Sequence, residues 1–194
     1  MRLNSARQAW HDCTYSRVGG QGVFASAVAQ LGTRVQITEG QRLAGQAVHQ
    51  ALAGYVQASI AGLAPPLQAF GNYLYAPCLA AAEQEMAELA VFVMVQQRAS
   101  RMTGIKRAKL EHVVKGVMAR YRYMHQGGQS SNADPLAAPE AFRRWLSVHY
   151  GLDLSAVRWE REWGGYVRLI FDCCEDLDQR ALAPIAGRIR EIKK

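Results

Sequence analysis

Between Leu110 and Tyr121 every large apolar residue falls on one face of a helix. Leu110, Val113, Val114, Val117, Met118 and Tyr121 stand at i, i+3, i+4, i+7, i+8 and i+11. That is the period of an α-helix with a single buried stripe; a strand needs alternation, and this run has none. Tyr166, Leu169, Ile170, Cys173, Cys174 and Leu177 repeat the same spacing. A strand through residues 166–171 competes there, but the helical stripe is the longer pattern. Stripes of this kind need apolar partners, so the chain is expected to pack helix on helix.

The remaining segments extend the helical pattern. Residues 5–12 predict a short helix containing Trp10, and Gly19-Gly20-Gln21-Gly22 a loop without the G-x-G-x-x-G spacing of a nucleotide site. Thr38 followed by Gln41 resembles a capping box. The helix behind it, roughly 39–61, carries Ala44, Ala47, Val48, Ala51, Leu52, Tyr55 and Val56 at helical spacing and ends at Gly62 to Pro66. Phe70, Tyr73 and Leu74 predict a further turn or two, stopped before Pro77. A longer helix begins near Glu83. Its centre, residues 89–95 (LAVFVMV), is apolar all round, which predicts burial on every face, with a buried strand as the rival reading.

Residues 126–138 are rich in Gly, Ser, Ala and Pro and read as a linker or mobile loop. Beyond it the tail reads as three or four short helices. One starts at Pro139, carries Phe142, Trp145, Leu146 and His149, and stops at Gly151. Ser155 is a cap for a short helix with Trp159 and Trp163, and Ile185, Ile189 and Ile192 mark a last helix. The expected architecture is therefore mostly α: a helical bundle over residues 1–125, a connection at 126–138, and a small Trp-rich helical C-terminal subdomain at 139–194. No internal repeat is present.

Composition narrows the class. The hydrophobic fraction of 49% supplies a core, and 20% charged residues are too few for a largely disordered chain. Cys13, Cys78, Cys173 and Cys174 form no C-x-x-C and no disulfide framework, so reduced thiols and a cytoplasmic location are expected. The polar residues after Met1 do not read as a signal core. Residues 43–82 hold no Asp, Glu, Lys or Arg, but Gln, His and Asn side chains and Pro65-Pro66 interrupt them. Burial between helices or against a protein explains this better than lipid.

The charge is focused. Residues 98–122 hold eight Lys or Arg and one acid, Glu111, for a net +7, which equals the net charge of all 194 residues. Such a segment calls for a polyanion, nucleic acid foremost. Residues 96–115 within it have the outline of a helix–turn–helix, placed at about 84–123. Ser100 takes the small position and Gly104 the turn, and Ile105, Leu110 and Val113 pack the second helix on the first. Lys106, Arg107 and Lys109 then stand at the start of a recognition helix. Arg98 and Arg101 before the turn, and Lys115, Arg120 and Arg122 beyond it, are placed to neutralise backbone phosphates, with Lys109, Lys115, Arg120 and Arg122 facing outward. The opposing interpretation is a solvated helix face, but such faces usually mix signs.

Other constellations are less specific. Cys173 and Cys174 lie on an apolar stripe and read as core thiols. His11 and Cys13 lack a second ligand pair, so no metal is expected. His112 and His125 flank the basic helix as surface residues or phosphate contacts. Trp145, Trp159 and Trp163 suit core packing better than base stacking. No G-x-S-x-G, H-E-x-x-H or P-loop occurs, and neither enzymatic activity nor a cofactor is expected.

Two segments together, QRASRMTGIKRAKLEHVVKGVM and VRWEREWGGYVRLIFDCCEDLDQRALAPIAGRI, give a resemblance. A helix–turn–helix joined to a small helical body resembles the Q-type late-gene antiterminators of phages and the AlpA-type lysis-programme regulators. The resemblance implies a sequence-specific binder of double-stranded DNA near a promoter. Such a protein loads onto RNA polymerase and suppresses terminators, with the basic helix as DNA reader. The chain departs from those Q proteins that carry a zinc motif. A promoter-binding repressor or activator, and a helical adaptor docking on an acidic partner, are the alternatives.

Overall fold

Helices form where the stripes predict them. The computed structural model describes residues 5–18, 39–125 and 132–192, with side chains at 5–14, 50–125 and 132–192. Among these residues it holds seven α-helices and no strand: α1 (Ala6–Val18), α2 (Glu39–Ala61), α3 (Pro65–Tyr75), α4 (Ala81–Arg98), α5 (Gly104–Met124), α6 (Pro139–Tyr150) and α7 (Gly165–Ile192). A single π-helical turn, Glu160–Gly164, leads into α7. The architecture is a mostly α helical bundle. No described helix is long and apolar enough to cross a membrane.

Local chemistry sets the ends. Pro65 and Pro139 each open a helix where the missing N–H costs nothing. Gly151 closes α6 in the left-handed region (φ 61°), and its N–H returns to Ser147 O at 2.9 Å. Thr103 Oγ1 accepts from the Lys106 N–H at the start of α5. The Gly19–Gly22 loop and the Thr38 cap lie outside the described residues.

Helix α7 is the centre of the bundle, packed by α1, α2, α3, α4 and α5. Its buried side chains, Ile170, Cys173, Cys174, Leu177, Ala181, Ile185 and Ile189, run continuously along one face. This corrects the expected break in the tail. The helix passes through Pro184 because the stripe is buried on both sides of it, which offsets the one backbone hydrogen bond that proline removes. The strands entertained at 89–95 and 166–171 do not form; both runs lie inside helices.

One apolar cluster draws on all seven helices, with Trp10, Phe70, Tyr75, Leu110, Phe142, Leu146 and Ile170 among its wholly buried members. Trp159, Trp163, Cys173 and Cys174 belong to it as core residues. Burial pushes both thiols up, and the carboxylates and the neighbouring thiol add to it. Over residues 50–61 of α2 the buried face is Ala53, Val56 and Ile60, whereas Ala51 and Tyr55 face solvent, so the expected stripe is rotated there; the side chains of Ala44, Ala47 and Val48 lie outside the described ones. In α4 only Ala87, Val91 and Val95 are buried, and the prediction of burial on every face fails.

A polar node pins four helices at the centre. Asp178 of α7 is fully buried. It accepts from Arg7 of α1 (2.6 Å), from the Tyr75 hydroxyl of α3 (2.5 Å) and from the Tyr121 hydroxyl of α5 (3.2 Å). Both carboxylate oxygens are thereby used, as burial of a charge demands. Burial works against the Arg7 charge, but Tyr75 and Asp178 outweigh it and raise its pKa.

Of the expected linker, residues 126–131 lie outside the described residues. Residues 132–138 are fastened rather than loose. The Asn132 N–H donates to Met124 O at 2.7 Å, Asp134 pairs with Arg120, and Leu136 packs on the core.

Candidate nucleic-acid interface

The eight cations expected to form one footprint divide into two groups. Three are paired with carboxylates, and a fourth, Arg122, lies against a ring at the far end of α5. Arg98 donates to Asp176 of α7, and that hydrogen bond raises its pKa. Lys115 lies 3.5 Å from the carboxylates of Glu88 and Glu111. Burial opposes its charge, but those two acids raise its pKa on balance. Arg122 sits 5.2 Å over the ring of Tyr73.

Arg120 is the clearest correction. It was placed on the outward face and is in fact buried, 8% exposed. Its Nε and Nη2 donate to one oxygen of Asp134 at 3.0 and 2.7 Å. Its guanidinium lies 4.7 Å from the ring centre of Phe142 and 5.0 Å from that of Phe171. The residue falls beside the apolar stripe of α5, at the margin where α6 and the 132–138 segment close over the helix. A guanidinium survives there because its charge is matched and its planar faces meet rings.

The other four, Arg101, Lys106, Arg107 and Lys109, have no carboxylate at ion-pair distance among the described residues. All four lie within residues 101–109, at the amino end of α5 and the turn before it. Lys106 is seated on aromatics, its Nζ 4.5 Å from the ring centre of Tyr166 and 5.6 Å from that of Trp163. Arg107 leans over Phe92 at 5.9 Å. Ile105, expected to pack α5 on α4, is instead 77% exposed amid these cations; Leu110 and Val113 do the packing.

The turn also differs from expectation. Gly104 is the first residue of α5 and not a left-handed corner, since Gly151 is the one described residue with positive φ. A β-carbon on Gly104 would meet nothing within 4 Å. Ser100 and Thr103 lie in the extended connection of residues 99–103. Helices α4 and α5 are thus consecutive and in contact, but without the glycine corner of a helix–turn–helix.

Electrostatically the amino end of α5 is loaded. Its first turn contains no acid, and the unpaired amides of a helix start already carry about half a positive charge. Lys106, Arg107 and Lys109 add to that potential instead of opposing it. Such an arrangement is unfavourable in the free protein and is relieved by an anion. Sequence reasoning missed the seat of Lys106: Trp163 and Tyr166 are three residues apart, an ordinary core pattern until α7 is placed beside α5.

The flanking histidines are structural. His125 is buried against Tyr121, ring centres 4.5 Å apart, and His112 stacks on Tyr150 at 5.0 Å. Among the described residues no three His, Cys, Asp or Glu side chains converge as a metal site would require. No known protein family, curated protein or solved structure matches this chain.

Proposed function

We propose that the protein is a sequence-specific DNA-binding transcription regulator that meets the duplex with the amino end of α5. The observation that carries this reading is the concentration of Arg101, Lys106, Arg107 and Lys109, all without acidic partners among the described residues, on a helix start whose dipole has the same sign. Phosphates bind well at such a place. Ile105, exposed at the centre of the cluster, is suited to the apolar contact that a thymine methyl offers in the major groove. The resemblance to phage Q-type antiterminators gives the sharpest form of the proposal: a factor that binds near a promoter, joins RNA polymerase and suppresses terminators. The cation set is smaller than charge counting implied. Arg98, Lys115 and Arg120 are paired with carboxylates and Arg122 lies over Tyr73 at the far end of α5, so the reader reduces to the four cations within residues 101–109.

The test is selection from a random duplex library at near-physiological salt, followed by affinity measurements against salt. An enriched motif is expected, with a salt slope of about −3 to −4 for four phosphate contacts. Replacing Lys106, Arg107 and Lys109 together with Ala should abolish the motif. A triple variant that enriches the parent's motif would place the reader elsewhere. An absence of any motif would favour the adaptor alternative.

A further inference from the structure

Lys106 is held at both ends. Its backbone N–H donates to Thr103 Oγ1 at the start of α5. Its Nζ rests 4.5 Å from the ring centre of Tyr166 and 5.6 Å from that of Trp163. These rings belong to the packed interior: Trp163 is buried in the core, Tyr166 packs against it, and their centres lie 6.0 Å apart. Both come from the irregular start of α7, Trp163 from the π-helical turn and Tyr166 from the first turn behind it. A π-turn carries one residue more than an α-turn, which shifts the phase of the helix by about 100°. Trp159, ahead of the turn, packs edge-on against Phe142 of α6, while Trp163 and Tyr166 face α5. The Glu160 side chain lies across Gly164 and accepts from Arg168 at 2.7 Å, which ties the turn to α7.

We propose that Lys106 is the specificity-determining cation of the DNA reader, that it reads a guanine, and that Trp163 and Tyr166 are the residues that position it. The inference rests on the DNA reading proposed above. A lysine makes a poor reader when its stem is loose, because the stem must be ordered on binding and any phosphate satisfies the charge. Two rings against the ammonium restrict the stem before DNA arrives. Lys106 is the third residue of α5, where a recognition helix approaches base edges. It is half-buried rather than enclosed, and no carboxylate stands at ion-pair distance among the described residues. An ammonium has three donors and no acceptor. Guanine meets it best, since its N7 and O6 set two acceptors side by side in the major groove, whereas adenine and cytosine present a donor there. By contrast Arg107 is exposed and leans on one ring at 5.9 Å, a looser seat that suits a phosphate.

Anisotropy titrations of the full chain test it, against the selected motif, the motif with each guanine replaced in turn, and random duplex. Lys106→Ala should erase the preference for one guanine. Tyr166→Leu should weaken binding to the motif by about three- to tenfold, the cost of ordering one freed side chain. Its salt slope should stay that of the parent, because no phosphate contact is lost. Tyr166→Phe keeps the ring and should rescue the affinity. In the Lys106→Ala background Tyr166→Leu should cause no further loss. A Tyr166→Leu variant that binds like the parent, or that weakens motif and random duplex alike, would overturn the positioning role and leave the DNA reading standing. A motif in which no guanine depends on Lys106 would overturn its role as reader. A parent that enriches no motif would remove the DNA reading and this inference with it. Proton NMR of the parent tests the seat without any variant having to fold. The ε-methylene protons of Lys106 should stand upfield of those of the other lysines through ring currents, with and without duplex. Signals at the ordinary lysine position would show the seat empty and overturn the proposal.

Discussion

Trp10 presses directly on Gly71. A β-carbon at Gly71 would stand 2.1 Å from Cη2 of the indole, far inside contact distance. The indole N–H meanwhile donates to Asn72 Oδ1 at 3.1 Å, and Asn72 donates to Glu83. Trp10 thereby ties α1 to α3 and, through Asn72, to α4. Gly71→Ala should destabilise the fold by about 1–3 kcal/mol through overpacking, read by urea denaturation with Trp fluorescence. Gly104→Ala is the control. Open space surrounds that position, so the change should be neutral or stabilising by up to about 1 kcal/mol.

The Asp178 node predicts both a mutational and an alkaline effect. Asp178→Ala strands the Arg7 cation and two buried hydroxyls and should cost about 3–5 kcal/mol. Tyr75→Phe, which removes one donor, should cost nearer 1 kcal/mol. Burial, reinforced by Asp178, raises the pKa of Tyr75 and Tyr121 well above the ordinary 10.0. Groups whose folded pKa is raised stabilise the protein fully below the unfolded value and lose that contribution as pH rises above it. Stability should therefore fall from about pH 10 upward, by about 1.4 kcal/mol per pH unit for each such tyrosine. Denaturation midpoints between pH 8 and 11 check this. A flat profile would mean that the hydroxyls titrate as if in water.

Arg120 and Lys109 lie on the same helix but should fail in opposite ways. Arg120→Ala leaves Asp134 unpaired in a largely closed site and should cost about 3 kcal/mol of stability. Duplex affinity of the protein that remains folded should be unchanged. Lys109→Ala should leave the melting temperature where it is and reduce the salt slope of DNA binding by about one. Measuring both quantities on both variants separates a structural cation from a phosphate contact. Equal loss of affinity in the two would restore Arg120 to the interface.

Ile105→Glu is expected to trade function for stability. Position 105 is the second residue of α5, 77% exposed, on a first turn without an acid. A carboxylate there meets the positive helix end and nearby Arg101, Lys106 and Arg107, and should stabilise by about 0.3–1 kcal/mol. The same carboxylate repels phosphate, so duplex affinity should drop. A rise in melting temperature with unaltered DNA binding would show that the amino end of α5 does not touch the duplex.

The sequence by itself determined the helices and stops up to Gly151 and the buried faces of α5 and α7, but not the continuity of α7 through Pro184. Each follows from information within a few residues: the 3.6-residue period, Pro65 and Pro139 at helix starts, Gly151 at a stop. The same reasoning correctly put Trp159, Trp163, Cys173 and Cys174 inside. Its misses share one cause. Residues 89–95 were expected to be buried all round, Ile105 to pack and Arg120 to face outward, because periodicity specifies a face but not what lies opposite it. Whether a cation remains free depends on carboxylates brought by other segments. Asp134 reaches Arg120 across 14 positions and Asp176 reaches Arg98 across 78. Those distances are closed by the rotation and crossing of packed helices, which the whole core decides at once. Composition alone counted a charge of +7 on residues 98–122. The tertiary structure decided that three of those cations are paired with carboxylates, that Arg122 lies over Tyr73, and that the other four cluster at the amino end of α5 with no carboxylate at ion-pair distance among the described residues.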